Sequence, residues 1–119
     1  MSSLRRTLEG DVLVHHLKRD EQMIDQSLLA RHGRTARTLV KEGPLRLTVI
    51  ALAAGGDIPS HNAEGPVTIQ LLEGEAAFDI AEREYALSAG DVLVLASGVQ
   101  HSVRSSTGCV LLLTVVHPS

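Results

Sequence analysis

The sequence predicts an all-β domain, a barrel or sandwich preceded by one short N-terminal helix. Three observations carry this. From residue 34 onward, short apolar segments follow one another between Gly, Pro and Asp turn signals. Helix-like periodicity is confined to one stretch upstream of them. No strand–helix–strand repeat of a parallel sheet is visible. The 119 residues suit a single domain, and a 44% hydrophobic content is enough for a real core. Residues 1–33 read as an arm with a short helix and residues 34–119 as the barrel, one structural domain overall.

Along residues 1–19, charges surround a brief apolar stretch at Val12, Leu13 and Val14, which suits an edge strand or an arm. Residues 20–30 (DEQMIDQSLLA) carry the helix signals. Asp20 can cap the start, acidic residues fill the first turn, and Gly33 lies just past the end. Met23, Ile24 and Leu28 fall at helical spacing, so one face can dock on apolar surface. Strand-like segments are expected at about 34–40, 45–54, 66–72, 75–80, 84–87, 91–96, 101–104 and 108–116. Ala76, Phe78 and Ile80 alternate with Glu75, Ala77 and Asp79, giving that strand one wet face. The run from Asp91 to Ala96 does not alternate, which suits a strand covered on both faces.

Composition narrows the function. A formal net charge of -3 and the lack of a basic stripe argue against nucleic-acid binding. Aromatic residues are 2% of the chain, too few for base-stacking platforms or aromatic cages. No apolar run approaches the roughly 20 residues of a membrane-spanning helix, and the start of the chain lacks a signal-peptide pattern. A cytoplasmic protein is the expectation. The single cysteine, Cys109, sits in an apolar run where a buried, inert thiol is expected. Nucleophile elbows, phosphate loops and zinc-protease helices are absent from the sequence.

Two stretches share a layout. The first runs from Gly55 through His61 and Ala63 to Val67 and Gly74. The second runs from Gly90 through Ala96 and Gly98 to His101 and Ser105. Together they resemble the paired motifs of the cupin superfamily, G(X)5HXH(X)3–4E(X)6G and G(X)5PXG(X)2H(X)3N. Gly55, His61, Gly74, Gly90, Gly98 and His101 stand on motif positions. Ala63 replaces the second histidine, Val67 the glutamate, Ala96 the proline and Ser105 the asparagine. The resemblance covers roughly residues 45–116. It implies a small single-domain, RmlC-like jelly-roll barrel, also described as a double-stranded β-helix, with His61 and His101 meeting at one end.

In that family both histidines of the first motif, its glutamate and the second motif's histidine hold a metal. Only His61 and His101 remain here, an incomplete set for zinc, iron, manganese or nickel. Glu64 lies three positions after His61 and could swing inward as a third ligand. Gln70 has the wrong strand parity. A general-base pair of His61 with Asp57 or Glu64 is conceivable, but Tyr85 matches no tyrosine position of the family's sugar epimerases. His15, His16, His32 and His117 fit no ligand spacing and read as solvated. Arg34, Arg37 and Arg46 alternate along the first strands, either to bind an anion or as a polar outer face.

The site reading is therefore a ligand pocket of His61, His101, Val49, Ala51, Val67, Ile69 and Phe78, mostly aliphatic with two imidazoles at its mouth. It is expected to take a small organic molecule. The rival reading is a metal-dependent oxygenase or isomerase with an atypical ligand set. A third is an interaction module whose pocket is filled by side chains. A homodimer is also expected, because a barrel this small leaves apolar faces and edges to cover, with residues 10–16 adding to the partner's sheet.

Overall fold

The computed structural model describes residues 10–17 and 23–118. Its helix is α1 (Gln26–His32), and its strands are β1 (Arg34–Glu42), β2 (Leu45–Leu52), β3 (Gly56–His61), β4 (Val67–Ile80), β5 (Arg83–Ser88), β6 (Val92–Leu95), β7 (His101–Ser105) and β8 (Cys109–Val116). Every pairing is antiparallel. One sheet runs β1-β2-β8-β4-β6 and the other β3-β7-β4-β5. The long β4 belongs to both. Its first half pairs with β8 and β6, its second half with β5 and β7. Two sheets sharing a bent strand make the curled all-β architecture of a jelly roll.

The bend in β4 has a local cause. The β4–β8 register slips by one residue between Leu71 and Glu73, so Leu72 is bulged out of the ladder. Gly74 follows with φ +77°, and a Cβ there would lie 2.2 Å from the Gly108 carbonyl oxygen. Only glycine fits that crossing of two chains. The segments expected at 66–72 and 75–80 are thus one strand turned through a corner. The Glu73-Gly74 break read from the sequence is the corner.

Between the sheets lies the main core. Leu71 and Phe78 are fully buried at its centre, with Ile69, Val103 and Leu111 around them. Phe78 is the chain's single phenylalanine. Burying a side chain of that size is worth roughly 2–3 kcal/mol. A second cluster covers the outer face of the first sheet, where Met23 packs with Leu39, Val40 and Val49. The β2 strand is thereby covered on both sides, Val49 and Ala51 facing out of the barrel and Ile50 into it.

The helix begins later than expected. Asp25 takes the N-cap, its carboxylate accepting from the Leu28 N–H at 3.0 Å, and Gly33 closes the C-terminus in the left-handed conformation. Met23 and Ile24 precede the helix instead of forming its apolar face; Asp20 lies outside the described residues. Val12, Leu13 and Val14 are exposed and belong to no strand of this chain. The hairpin between β4 and β5 turns on Ala81 and Glu82, both with positive φ (50° and 66°). No helix among the described residues is long and apolar enough to cross a membrane.

Candidate functional site

His61 and His101 meet because of a bulge. Ile58 pairs with Val103, and His61 pairs with His101, so β3 spends one more residue than β7 between the two pairs. Without that extra residue, Ser60 would face inward and His61 outward. The slip falls between Ile58 and His61, a stretch that includes Pro59, which cannot donate to the ladder. The loops that flank the pair are tied together, with the Gly98 N–H donating to the Ala63 carbonyl at 2.9 Å. Gly98 has φ +81°, which the turn into β7 requires.

The two imidazoles have ring centroids 4.3 Å apart and planes tilted by 55°. His101 is 3% exposed, whereas His61 is open to solvent. Each ring is held by a carbonyl two residues upstream. His61 Nδ1–H donates to Pro59 at 2.9 Å, and His101 Nδ1–H donates to Val99 at 3.1 Å. A carbonyl can only accept, so both Nδ1 atoms carry a proton, and Nε2 is the nitrogen each ring has left for another partner. Neither Nε2 has a hydrogen-bond partner among the described residues. Burial holds the His101 pKa below the usual histidine range; its bond to Val99 opposes that, and the neighbouring His61 adds to it.

The metal implied by the sequence resemblance does not fit the donors present. Among the described residues, no group of three His, Cys, Asp or Glu side chains is placed to hold an ion. Glu64, the expected third ligand, instead lies 3.9 Å from the His117 Nε2, with its side chain largely in solvent. Asp57 pairs with Arg104 in the β3–β7 register, on the opposite face from Ile58. No ion pair joins His61 to a carboxylate among the described residues. Ser105, at the motif's asparagine position, is fully buried and structural. Its hydroxyl donates to the Glu75 carbonyl at 2.6 Å and accepts from the Gly108 N–H at 3.0 Å.

The residues expected to line a pocket divide into two groups. Ile69 and Phe78 do border the space beside His61 and His101, together with Ile50, Ile58 and Val103. Val67 belongs to the same core without reaching that space. Val49 and Ala51 are on the wrong face of β2, and Ile50 takes the place expected for them. The space itself measures about 20 Å³, room for about one water molecule. Among the described residues, the space beside the pair is far smaller than the ligand-sized pocket expected inside the barrel.

The room lies just outside. A groove of about 730 Å³ runs between α1 and β1 on one side and β3 on the other, and His61 lies on its wall. Ile50 and Ile58 border both the groove and the small cavity, so the two spaces adjoin. Leu28 and Pro59 add apolar surface; His32 and Arg34 add polar heads. Of these, the sequence singled out Arg34 as an anion candidate, whereas His32 read as solvated. Arg46 is turned away onto the Gly43 and Leu45 carbonyls. Cys109 is buried, and burial pushes its thiol pKa up, as suits an inert side chain.

Comparison with known proteins agrees with this architecture. A family model described as "Cupin domain" matches residues 48–116. The structure is similar to that of a conserved protein of unknown function from Streptococcus pyogenes, with 25% identity over 100% of this chain and 97% of that one, TM-score 0.69. It is also similar to an RmlC-like cupin from Shewanella frigidimarina (22% identity, 73% of this chain and 78% of that one, TM-score 0.68). A salicylate 1,2-dioxygenase from Pseudaminobacter salicylatoxidans shares the fold at 24% identity and TM-score 0.69, over 76% of this chain but 30% of that one. No curated protein matches the chain. With both half-motifs in place on a two-sheet barrel and the family model spanning most of that barrel, the chain belongs to the cupin family.

Proposed function

We propose that this small cupin binds a small organic molecule in the groove at the open end of its barrel, over the His61–His101 pair. The observation that supports this most is the adjacency of the two spaces. A groove within the usual size range of ligand sites adjoins a small space where two imidazoles have Nε2 atoms not used by their bonds to Pro59 and Val99. Apolar walls supply contact area, and a few convergent polar groups supply orientation. The ligand sits on the barrel mouth, not in its interior.

The rival reading, an oxygenase or isomerase with an atypical ligand set, has one observation in its favour. Nδ1–H donated to a backbone carbonyl, with Nε2 left free, is also how metal-ligating histidines are oriented. Against it stands the donor set. Ala63 and Val67 present methyl groups where a further imidazole and a carboxylate would be needed.

A fragment library screened by NMR at the imidazole resonances of His61 and His101 tests the proposal. Compounds that shift both residues, and that lose their effect in Ile58→Trp, are the expected result. A library in which nothing perturbs either histidine overturns it.

The proposal also includes the homodimer. Val92 and Val94 are 55% and 68% exposed on β6, which pairs with β4 and leaves its other edge open. Adjacent exposed valines on an open edge strand are costly to leave in water.

A further inference from the structure

The groove is charged in one sense. The chain as a whole carries more acidic than basic residues, 14 Asp and Glu against 11 Lys and Arg. Yet among the described residues no Asp or Glu lines the groove, whose ionisable side chains are Arg34, His32 and His61. Arg34 spends one Nη on the backbone carbonyl of Asp57 at 3.3 Å, and its guanidinium meets no carboxylate among the described residues. Most of its five N–H donors are left for something else. The hydroxyl residues Thr35 and Ser60 also border the groove. Leu28, Ile50, Ile58 and Pro59 supply the apolar surface.

We infer that the groove takes a small organic carboxylate, its carboxylate held by the Arg34 fork and its apolar body lying on Ile50, Ile58 and Leu28. This names the ligand class of the site proposed above and rests on that proposal. A planar guanidinium matches a carboxylate with two parallel hydrogen bonds. His32 lies on the same groove and can add a hydrogen bond through a ring N–H, whereas the Nδ1–H of His61 is already given to the Pro59 carbonyl. A single arginine without a lysine or a nest of backbone N–H groups suits a monoanion better than a doubly charged phosphate. The apolar surface requires a hydrocarbon body, so inorganic anions and very small acids are poor ligands.

The test compares matched pairs by calorimetry and by NMR on the full chain: benzoate against benzamide and hexanoate against hexanamide, with phenyl phosphate as a further probe. Each is measured on the wild type and on Arg34→Gln, whose fold is checked by its Tm because the replaced side chain is exposed. The expected result is that each carboxylate binds about tenfold tighter than its amide, and that Arg34→Gln abolishes the difference. Equal binding of acid and amide overturns the carboxylate assignment while leaving the groove a ligand site. A preference that survives in Arg34→Gln overturns it too, as does phenyl phosphate binding tighter than benzoate. If no probe binds at millimolar concentration, both this inference and the proposed function fall.

Discussion

His61 and His101 stand directly across the β3–β7 pairing, rings 4.3 Å apart, each with Nδ1–H tied to the carbonyl two residues before it. The match of the two local bonds is what makes the pair a unit. Each ring is held by a carbonyl two residues upstream in its own segment, so neither needs a metal to hold its orientation. Once the bulge between Ile58 and His61 has brought them together, the site has two Nε2 atoms facing outward from those bonds and, among the described residues, no third ligand to complete a metal shell.

The first prediction concerns metal. Two imidazoles without a carboxylate bind a divalent ion weakly. Elemental analysis of the purified protein should give well under one equivalent of zinc, iron, manganese or nickel. The Tm should not move when chelator is added. A stoichiometric metal lost in His61→Ala and His101→Ala, with a lower Tm in chelator, would show that the site completes its shell from outside this set.

The second concerns pH. Burial lowers the His101 pKa in the folded chain, so between the folded and unfolded values the unfolded chain binds more protons. Stability from this group is complete above the ordinary histidine range and falls as the pH drops below about 6.5 toward the folded value. Urea midpoints at pH 7.5 and pH 5.5 should show the loss. His101→Phe should reduce the dependence, and a midpoint that rises on acidification would contradict the assignment.

A third prediction uses the β4–β5 hairpin. Ala81 and Glu82 both hold positive φ, a conformation that costs a non-glycine residue about 1 kcal/mol or more. The two-residue turn with both residues on that side favours Asn-Gly. The double change Ala81→Asn and Glu82→Gly should stabilise the chain by about 1 kcal/mol, seen as a few degrees in Tm. An unchanged or lower Tm would mean the turn is not strained.

How much of this was legible beforehand varied with the kind of signal. Positions set by spacing were plain: the motif glycines, His61, His101 and the Gly33 cap all lie where the sequence put them. Positions set by facing were not. The apolar run of β2 is covered on both sides, so nothing in it shows that Ile50 and not Val49 or Ala51 looks inward. β3 was missed because its residues GDIPSH lack apolar alternation; its place is set by pairing with β7. Glu64 sits in the loop between β3 and β4, where spacing from His61 does not say which way a side chain turns, and it lies near His117 at the far end of the chain. The groove joins α1, β1 and β3 across the fold, and among its residues only His61 and Arg34 gave a local hint.

The fourth prediction tests the homodimer. Light scattering at micromolar concentration should give about twice the 12.7 kDa of one chain. Val92→Lys with Val94→Lys should shift it toward the monomer, because two charges on an edge strand oppose pairing. A monomer in the wild type removes the idea.

The account turns on where a ligand sits. Crystals soaked with fragment mixtures and solved at high resolution measure this directly. The account predicts fragment density in the groove between Arg34 and His61, resting on Ile58, with the interior beside His101 holding no more than a water. Fragments found elsewhere and never in this groove, or a fully occupied metal bridging the two Nε2 atoms, would contradict it.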